Sequence, residues 1–172
     1  TPDDAHLLYA KGLSLELQKK YRDAIEAYDT ALAIEPDTFD ISYHRGISFV
    51  ELGRDEDAAG AFSRSLEINP RDIDARYRMG LALGRQKKFD KSVAAFDQCI
   101  EAGLRHAEIF YEKGISLSAL GKYEEAILAF DQSLAQDAGN LGSLIHKSLA
   151  LSALNKFEDV LPVISQAIAI DP

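Results

Sequence analysis

Residues 111–134, YEKGISLSALGKYEEAILAFDQSL, are the clearest copy of a pattern that recurs along the whole chain. Within this stretch Gly114 follows Tyr111 by three positions, and Ala126 and Phe130 come later at helical spacing. Shifting the sequence against itself by 34 residues aligns Gly114 with further glycines, each preceded three positions earlier by a tyrosine. These glycines are Gly12, Gly46 and Gly80. A fixed period of this length is typical of structural repeats that stack on one another.

Each copy of the pattern predicts two helices joined by a short turn, because apolar residues recur at helical spacing on either side of a polar or glycine-containing break. The predicted repeats form one array over residues 1–172 and span 5–38, 39–72, 73–106, 107–140 and 141–172. The last repeat is the most divergent, and Pro162 falls inside its second helix. Since proline in a helix interior removes a hydrogen bond, we expect that helix to be kinked or to begin late.

The composition argues against several classes of function. The 172 residues carry a net charge of −9, so the molecule repels phosphate backbones and anionic membrane surfaces, and we expect neither nucleic acid nor membrane as a partner. No apolar run approaches the roughly 20 residues that span a bilayer. The single cysteine, Cys99, fits a reducing compartment. We therefore expect a cytoplasmic protein, although a targeting segment before Thr1 could have been removed.

No group of residues forms a convincing catalytic or cofactor site, so we expect neither an enzyme nor a bound cofactor. Cys99 falls at a position that holds Ala31 or Ser65 in other repeats, which predicts a packed and inert thiol. Asp40 and His44 are four residues apart and could share a metal, but no second histidine follows at ligand spacing. A carboxylate at a helix start beside a solvated histidine is the simpler interpretation.

The repeated residues resemble the tetratricopeptide repeat (TPR), whose signature combines W-x2-L-G-x2-Y, A-x3-F and a final proline at a 34-residue period. The resemblance covers residues 5 to 172, and it identifies the chain as five tandem repeats, expected to be part of a longer prokaryotic TPR protein. The alanine position holds Ala24, Ala58 and Ala126; the aromatic position holds Tyr28, Phe62, Phe96 and Phe130. The signature tryptophan is absent, and the leucine before the glycine is mostly replaced by lysine or arginine.

The resemblance implies an all-α fold, a right-handed α-solenoid of antiparallel helix pairs (TPR superhelix) whose first helices line a concave groove. Two rows of side chains occupy groove positions. The tyrosine row is Tyr9, Tyr43, Tyr77 and Tyr111, ended by Ile145; the aliphatic row is Leu13, Ile47, Leu81, Ile115 and Leu149. The residues proposed to contact a partner are Tyr9, Leu13, Tyr43, His44, Ile47, Tyr77, Arg78, Leu81, Tyr111, Glu112, Ile115 and Leu149.

Two functions remain open at this stage. An apolar floor beside phenolic hydroxyls and mixed charges suits a protein or peptide ligand, which predicts a protein-interaction scaffold. The tyrosines have a second interpretation, as consensus residues that pack between neighbouring first helices. The alternative function is a structural or self-associating segment of a longer array, because the last helix is apolar on more sides than one neighbour covers. Its apolar residues are Val160, Leu161, Val163, Ile164, Ile168 and Ile170.

Overall fold

The computed structural model describes residues 4–171, and these residues form ten α-helices with no strand among them. The helices are α1 (Ala5–Leu17), α2 (Tyr21–Ile34), α3 (Phe39–Glu51), α4 (Asp55–Ile68), α5 (Ile73–Arg85), α6 (Phe89–Glu101), α7 (Ala107–Ala119), α8 (Tyr123–Gln136), α9 (Leu141–Ala153) and α10 (Phe157–Ile170). Every odd-numbered helix begins at the first residue of a predicted repeat, and its even-numbered partner follows after a short turn. The predicted all-α fold of tandem helix pairs is confirmed.

The turn inside each pair is closed by backbone hydrogen bonds. After α7, the Lys122 amide donates to the Leu117 carbonyl at 3.0 Å and the Gly121 amide donates to the Ser118 carbonyl at 3.0 Å. This pair of hydrogen bonds forms the Schellman motif, which requires the residue after the helix cap to adopt a left-handed conformation. Gly121 does so with φ of 75°, and Lys87 takes the same place in the third repeat with φ of 60°.

In the first, second and fourth helix pairs an aromatic ring of the second helix packs onto a glycine of the first. The ring of Phe130 on α8 lies over Gly114 on α7, and the ring of Phe62 on α4 lies over Gly46 on α3. Both rings are fully buried. The repeated glycine therefore leaves room for the ring at the centre of the pair.

Successive pairs meet through the second helix of one and the first helix of the next, as in α2 against α3 and α8 against α9. Ion pairs recur at these junctions: Arg45 with Asp29 at 2.6 Å, Lys113 with Asp97 at 2.5 Å, and Lys147 with Asp131 at 2.6 Å. These cations occupy the position that holds leucine in the TPR signature. Their ion pairs therefore contribute to the contact between repeats.

The chain clusters into two compact units, Thr1–Lys87 and Lys88–Pro172, and the division falls between the two helices of the third repeat. The core of the first unit includes Tyr28, Phe49 and Phe62. That of the second unit includes Phe130 and Leu144. A single array of five repeats remains a prediction for the chain as a whole.

Pro162 predicted either a kink or a late start for the last helix, and the structure contradicts the late start. α10 begins at Phe157, one repeat period after the start of α8, so the expectation of a late start is wrong. Pro162 lies inside the helix, where it has no N–H to donate. Val163 beside it is buried against Leu144 and Leu151 of α9, and this packing holds the helical path through the proline.

Candidate binding surface of the first helices

All the residues proposed to contact a partner lie on the first helices of the pairs. In the first unit they lie on α1, α3 and α5; in the second unit they lie on α7 and α9. Leu13, Ile47, Leu81 and Ile115 of the aliphatic row are each partly exposed, and Leu149 is 58% exposed. Each unit therefore presents apolar side chains that a ligand can reach.

The tyrosines contact the neighbouring first helix. The Tyr43 hydroxyl on α3 donates a hydrogen bond to the Asp74 carboxylate on α5. The Tyr111 ring on α7 rests against Gly142 on α9, where an added Cβ would lie 2.9 Å from the ring. Both tyrosines remain partly exposed, so they join neighbouring helices and still form part of the outer face.

Arg78 completes a three-residue cluster with Tyr43 and Asp74. Its Nε donates to the Tyr43 hydroxyl oxygen at 2.8 Å and to Asp74 Oδ2 at 2.9 Å. Burial and the hydrogen bond to Asp74 raise the pKa of Tyr43 to about 12. Burial alone would raise the pKa of Asp74, but the hydrogen bonds from Tyr43 and Arg78 outweigh it and lower that pKa. The charges of Arg78 and Asp74 are therefore paired with each other inside this cluster.

Glu16 on α1 is the centre of a second polar cluster. Its carboxylate accepts hydrogen bonds from the Tyr28 hydroxyl at 3.0 Å, from His44 Nδ1 at 3.2 Å and from the Ser48 hydroxyl at 3.2 Å. Burial would raise the pKa of Glu16, but these hydrogen bonds outweigh it and lower the pKa. Burial, followed by the nearby Glu16 charge, raises the pKa of Tyr28 strongly. The carboxylate therefore connects three helices.

The imidazole of His44 lies among aromatic rings and is not the solvated side chain that the sequence suggested. Its ring centre is 5.4 Å from that of Tyr43, 5.9 Å from that of Tyr9 and 6.4 Å from that of Tyr28. Only 27% of the side chain is exposed, and its carboxylate partner is Glu16. The expectation of a solvated histidine beside Asp40 is wrong, because neighbouring helices cover the ring.

The second unit has a related but more apolar arrangement. His146 on α9 lies 5.8 Å from the ring centre of Tyr111 and 6.0 Å from that of Phe130. Burial lowers the pKa of this histidine. Ile145, which takes the place of the tyrosine in the last repeat, is 50% exposed. The surface of α9 is therefore dominated by aliphatic side chains.

The polar cluster around Glu16 was not predicted from the sequence, although one residue of the sequence indicates it. Tyr28 stands where the other complete repeats have phenylalanine, and it is fully buried. A buried phenol needs a hydrogen-bond partner, so the substitution of tyrosine for phenylalanine indicates a nearby acceptor. The sequence does not say which of several carboxylates this acceptor is.

Within residues 4–171 no group of three or more His, Cys, Asp or Glu side chains is placed to hold a metal ion. Cys99 is fully buried, as predicted from its small-residue position. None of the described helices combines the length and the apolar character required to cross a bilayer.

Comparisons with known proteins give the family and the fold. A family model described as Tetratricopeptide repeat matches residues 2–34, 9–73 and 77–140. A crystal structure of MamA superposes with a TM-score of 0.93 at 16% identity, covering 99% of this chain and 93% of that one. MamA from Desulfovibrio magneticus RS-1 gives 0.91 at 17% identity, over 98% of this chain and 96% of that one.

A third structure, YrrB, is described as a TPR protein with an unusual peptide-binding site. It superposes with a TM-score of 0.90 at 20% identity, covering 99% of this chain and 88% of that one. At such identities these structures are similar to the chain in fold. No curated protein sequence matches the chain.

Proposed function

Because the chain belongs to the tetratricopeptide repeat family, we propose that it is a protein-interaction scaffold whose first helices bind a peptide or helical segment of a partner protein. The observation that carries the proposal is the aliphatic row, whose members in each unit are exposed or partly exposed on the same helices as the tyrosine row. Contiguous apolar surface on a folded protein commonly marks an interaction site. The proposed contacts are these two rows with His44, Arg78 and Glu112.

The charges near this surface favour an apolar or amphipathic ligand. Arg78 is paired with Asp74, Glu16 with His44, and Arg85 of α5 with Asp55 at 2.7 Å. A ligand gains little from a charge that already has a close partner. We therefore infer that apolar side chains of the ligand supply most of the affinity, and that added salt weakens binding only slightly.

YrrB is described as a protein with a peptide-binding site, and it shares its fold with this chain. This analogy supports a peptide as the ligand. Tetratricopeptide repeat proteins generally act as scaffolds without enzymatic activity. Our proposal accordingly contains a binding step and no chemical step.

The test is to replace three members of the aliphatic row with serine, in the variant Ile47→Ser, Leu81→Ser, Ile115→Ser. Immobilised wild type and variant are exposed to lysate of the source organism, and the retained proteins are identified by mass spectrometry. Leu128 on α8 is 64% exposed and lies on a second helix, so Leu128→Ser is the matched control. Far-ultraviolet circular dichroism checks that each variant is folded.

The expected result is a protein retained by wild type and by the Leu128 control but lost with the triple variant. A photo-crosslinking side chain at Leu149 should then attach that protein to the chain. If the triple variant retains the same proteins as wild type, the surface of the first helices is not the binding site and the proposal fails.

A second candidate function is assembly through the last helix. Leu161 and Ile168 of α10 are 71% and 58% exposed, although both are large and apolar. Such a face favours burial against another helix. Sedimentation velocity at several concentrations tests this role, because a strict monomer at every concentration would contradict it.

A further inference from the structure

The cluster of Tyr43, Asp74 and Arg78 shows how this chain binds a guanidinium group between two first helices. Tyr43 lies on α3, while Asp74 and Arg78 lie four residues apart on α5. Nε of Arg78 donates to the Tyr43 hydroxyl oxygen and to Asp74 Oδ2, and the guanidinium carbon lies 5.8 Å from the centre of the Tyr43 ring. A tyrosine on one first helix and an aspartate on the next therefore form a complete site for a guanidinium.

The same tyrosine and aspartate occur one repeat earlier. A shift of 34 residues takes Tyr43 to Tyr9 on α1 and Asp74 to Asp40 on α3. Tyr9 is partly exposed and Asp40 is exposed. Burial raises the pKa of Tyr9, and the negative charges of Asp40 and then Glu16 raise it further, so these carboxylates lie near the phenol. The first two repeats therefore present a ring and a carboxylate at the repeat positions that hold a guanidinium between the second and third.

The residue at the position of Arg78 does not supply a guanidinium here. That residue is His44, whose Nδ1 is 3.2 Å from the Glu16 carboxylate and whose ring centre lies 5.9 Å from that of Tyr9. Among residues 4–171 no lysine or arginine forms an ion pair with Asp40. Both repeats of this contact are present in the structure, so its exposure does not depend on where the sequence begins or ends.

We propose that Tyr9 and Asp40 bind the guanidinium of an arginine from the partner segment. This arginine takes the place that Arg78 has beside Tyr43 and Asp74 in the next repeat. The inference rests on the scaffold function proposed above and names one residue of its ligand. A cation gains more from Asp40 than from a carboxylate that is already paired, and the net charge of −9 also favours a cationic ligand.

Arginine suits this site better than lysine. A guanidinium is planar and carries several N–H donors, so it can bond to a phenol and a carboxylate while it lies over an aromatic ring. A lysine ammonium is a compact charge that cannot make the same set of contacts from one position. The site should therefore distinguish the two cations as well as distinguish a cation from a neutral side chain.

Apolar residues of the partner segment should lie beside this arginine. Leu13 follows Tyr9 by four residues on α1, and Ile47 follows Asp40 by seven residues on α3, so each pair shares a helix face. Leu13 and Ile47 are both partly exposed. The expected ligand is therefore an amphipathic segment in which an arginine lies next to aliphatic or aromatic residues.

The test begins with a phage-displayed library of random dodecapeptides, selected on the immobilised wild-type chain. Peptides that also bind the triple serine variant of the aliphatic row are removed. An arginine-containing peptide from this selection is then synthesised in two forms, one with arginine and one with citrulline, which has nearly the same shape but no charge. Fluorescence anisotropy gives the dissociation constant of each form.

The expected result is a cycle of two changes that depend on each other. Citrulline should raise the dissociation constant for wild type by about five- to tenfold, because an ion pair and a cation–π contact are lost. For Asp40→Asn the two peptide forms should bind almost equally. Tyr9→Phe keeps the ring and removes the hydroxyl, so its ratio should lie between these two. Glu26→Gln removes one negative charge from an exposed position of α2 and should keep the wild-type ratio.

The outcomes separate this inference from the function on which it rests. If the selected peptides need the aliphatic row but contain no arginine, or bind equally well with citrulline, the inference is overturned and the scaffold function stands. An arginine preference that persists in Asp40→Asn also overturns it, because the arginine then lies elsewhere. If no peptide depends on the aliphatic row, the proposed function fails and the inference fails with it. Circular dichroism checks that every variant is folded.

Discussion

A Cβ atom built on Gly114 would lie 2.5 Å from Cε1 of Phe130, closer than two carbon atoms can approach without displacement. At the equivalent place in the second repeat a Cβ built on Gly46 would lie 2.7 Å from Cε1 of Phe62. The aromatic ring in each case is fully buried and cannot swing into solvent without leaving a cavity. Glycine is therefore needed at this position of the repeat, because a side chain there would clash with the aromatic ring that covers it.

Gly114→Leu should lower the free energy of unfolding by more than about 2 kcal/mol, because the added side chain must displace the Phe130 ring from a packed core. Gly60 is the matched control, since it lies inside α4 with nothing within 4 Å of an added Cβ. Gly60→Ala should raise the free energy of unfolding by about 0.5–1 kcal/mol. Urea denaturation measures both changes, and equal stability of wild type and Gly114→Leu would contradict the packing described.

The left-handed turn at Lys87 predicts a stabilising change. Lys87 has φ of 60°, a conformation that costs about 1 kcal/mol in a residue with a Cβ, so Lys87→Gly should raise the free energy of unfolding by about that amount. Lys91, at an exposed position inside α6, should lose stability when changed to glycine. Thermal unfolding of the two variants checks the prediction, which fails if both shift the midpoint in the same direction.

Glu16 predicts a pH-dependent loss of stability. Its folded pKa lies below the ordinary value of 4.5, so its contribution is present in full above that value and is lost as the pH falls through the folded pKa. Glu16→Gln should therefore cost about 1 kcal/mol at neutral pH, and the difference from wild type should shrink on acidification below 4.5. Glu26→Gln, at an exposed position of α2, is the control for removing a carboxylate outside this cluster. If the difference in free energy of unfolding between wild type and Glu16→Gln stays constant with pH, the role of the carboxylate is contradicted.

Tyr43 should ionise at about pH 12, well above the ordinary value of 10.0 for tyrosine. The difference in tyrosinate absorbance between wild type and Tyr43→Phe isolates this group during an alkaline titration. Asp74→Asn should lower the pKa of Tyr43, because it removes a negative charge from the hydrogen-bond acceptor. If the difference signal titrates at the ordinary pH for tyrosine, the hydroxyl does not make the contact described.

The fold was predictable because the same residues recur at the same spacing in several repeats. Gly114 and Phe130 recur one period earlier as Gly80 and Phe96, and Ala126 recurs two periods earlier as Ala58, so a chance match at any one position matters little. Pro162 led to the wrong expectation of a late start for α10, because local propensity is a weak guide where tertiary packing is strong. The burial of Val163 against α9 offsets the cost of the proline.

The polar clusters were less predictable because their members come from separate helices. Glu16 bonds to Tyr28, His44 and Ser48, which lie on α2 and α3, and no spacing rule joins them. The sequence placed His44 on a first helix, where the structure has α3, but did not show that neighbouring rings would cover it. A periodic pattern indicates the face on which a side chain lies, whereas its partners depend on which repeat is its neighbour.

The contacts of Tyr43 with Asp74 and of Tyr111 with Gly142 each join one repeat to the next. A duplication of one 34-residue unit in evolution would preserve the glycine and ring inside each pair, because both belong to the copied segment. It would also place that unit's tyrosine beside a different partner, aspartate in one case and glycine in another. The contacts between repeats can therefore change when repeats are duplicated or reordered, before any single residue is substituted.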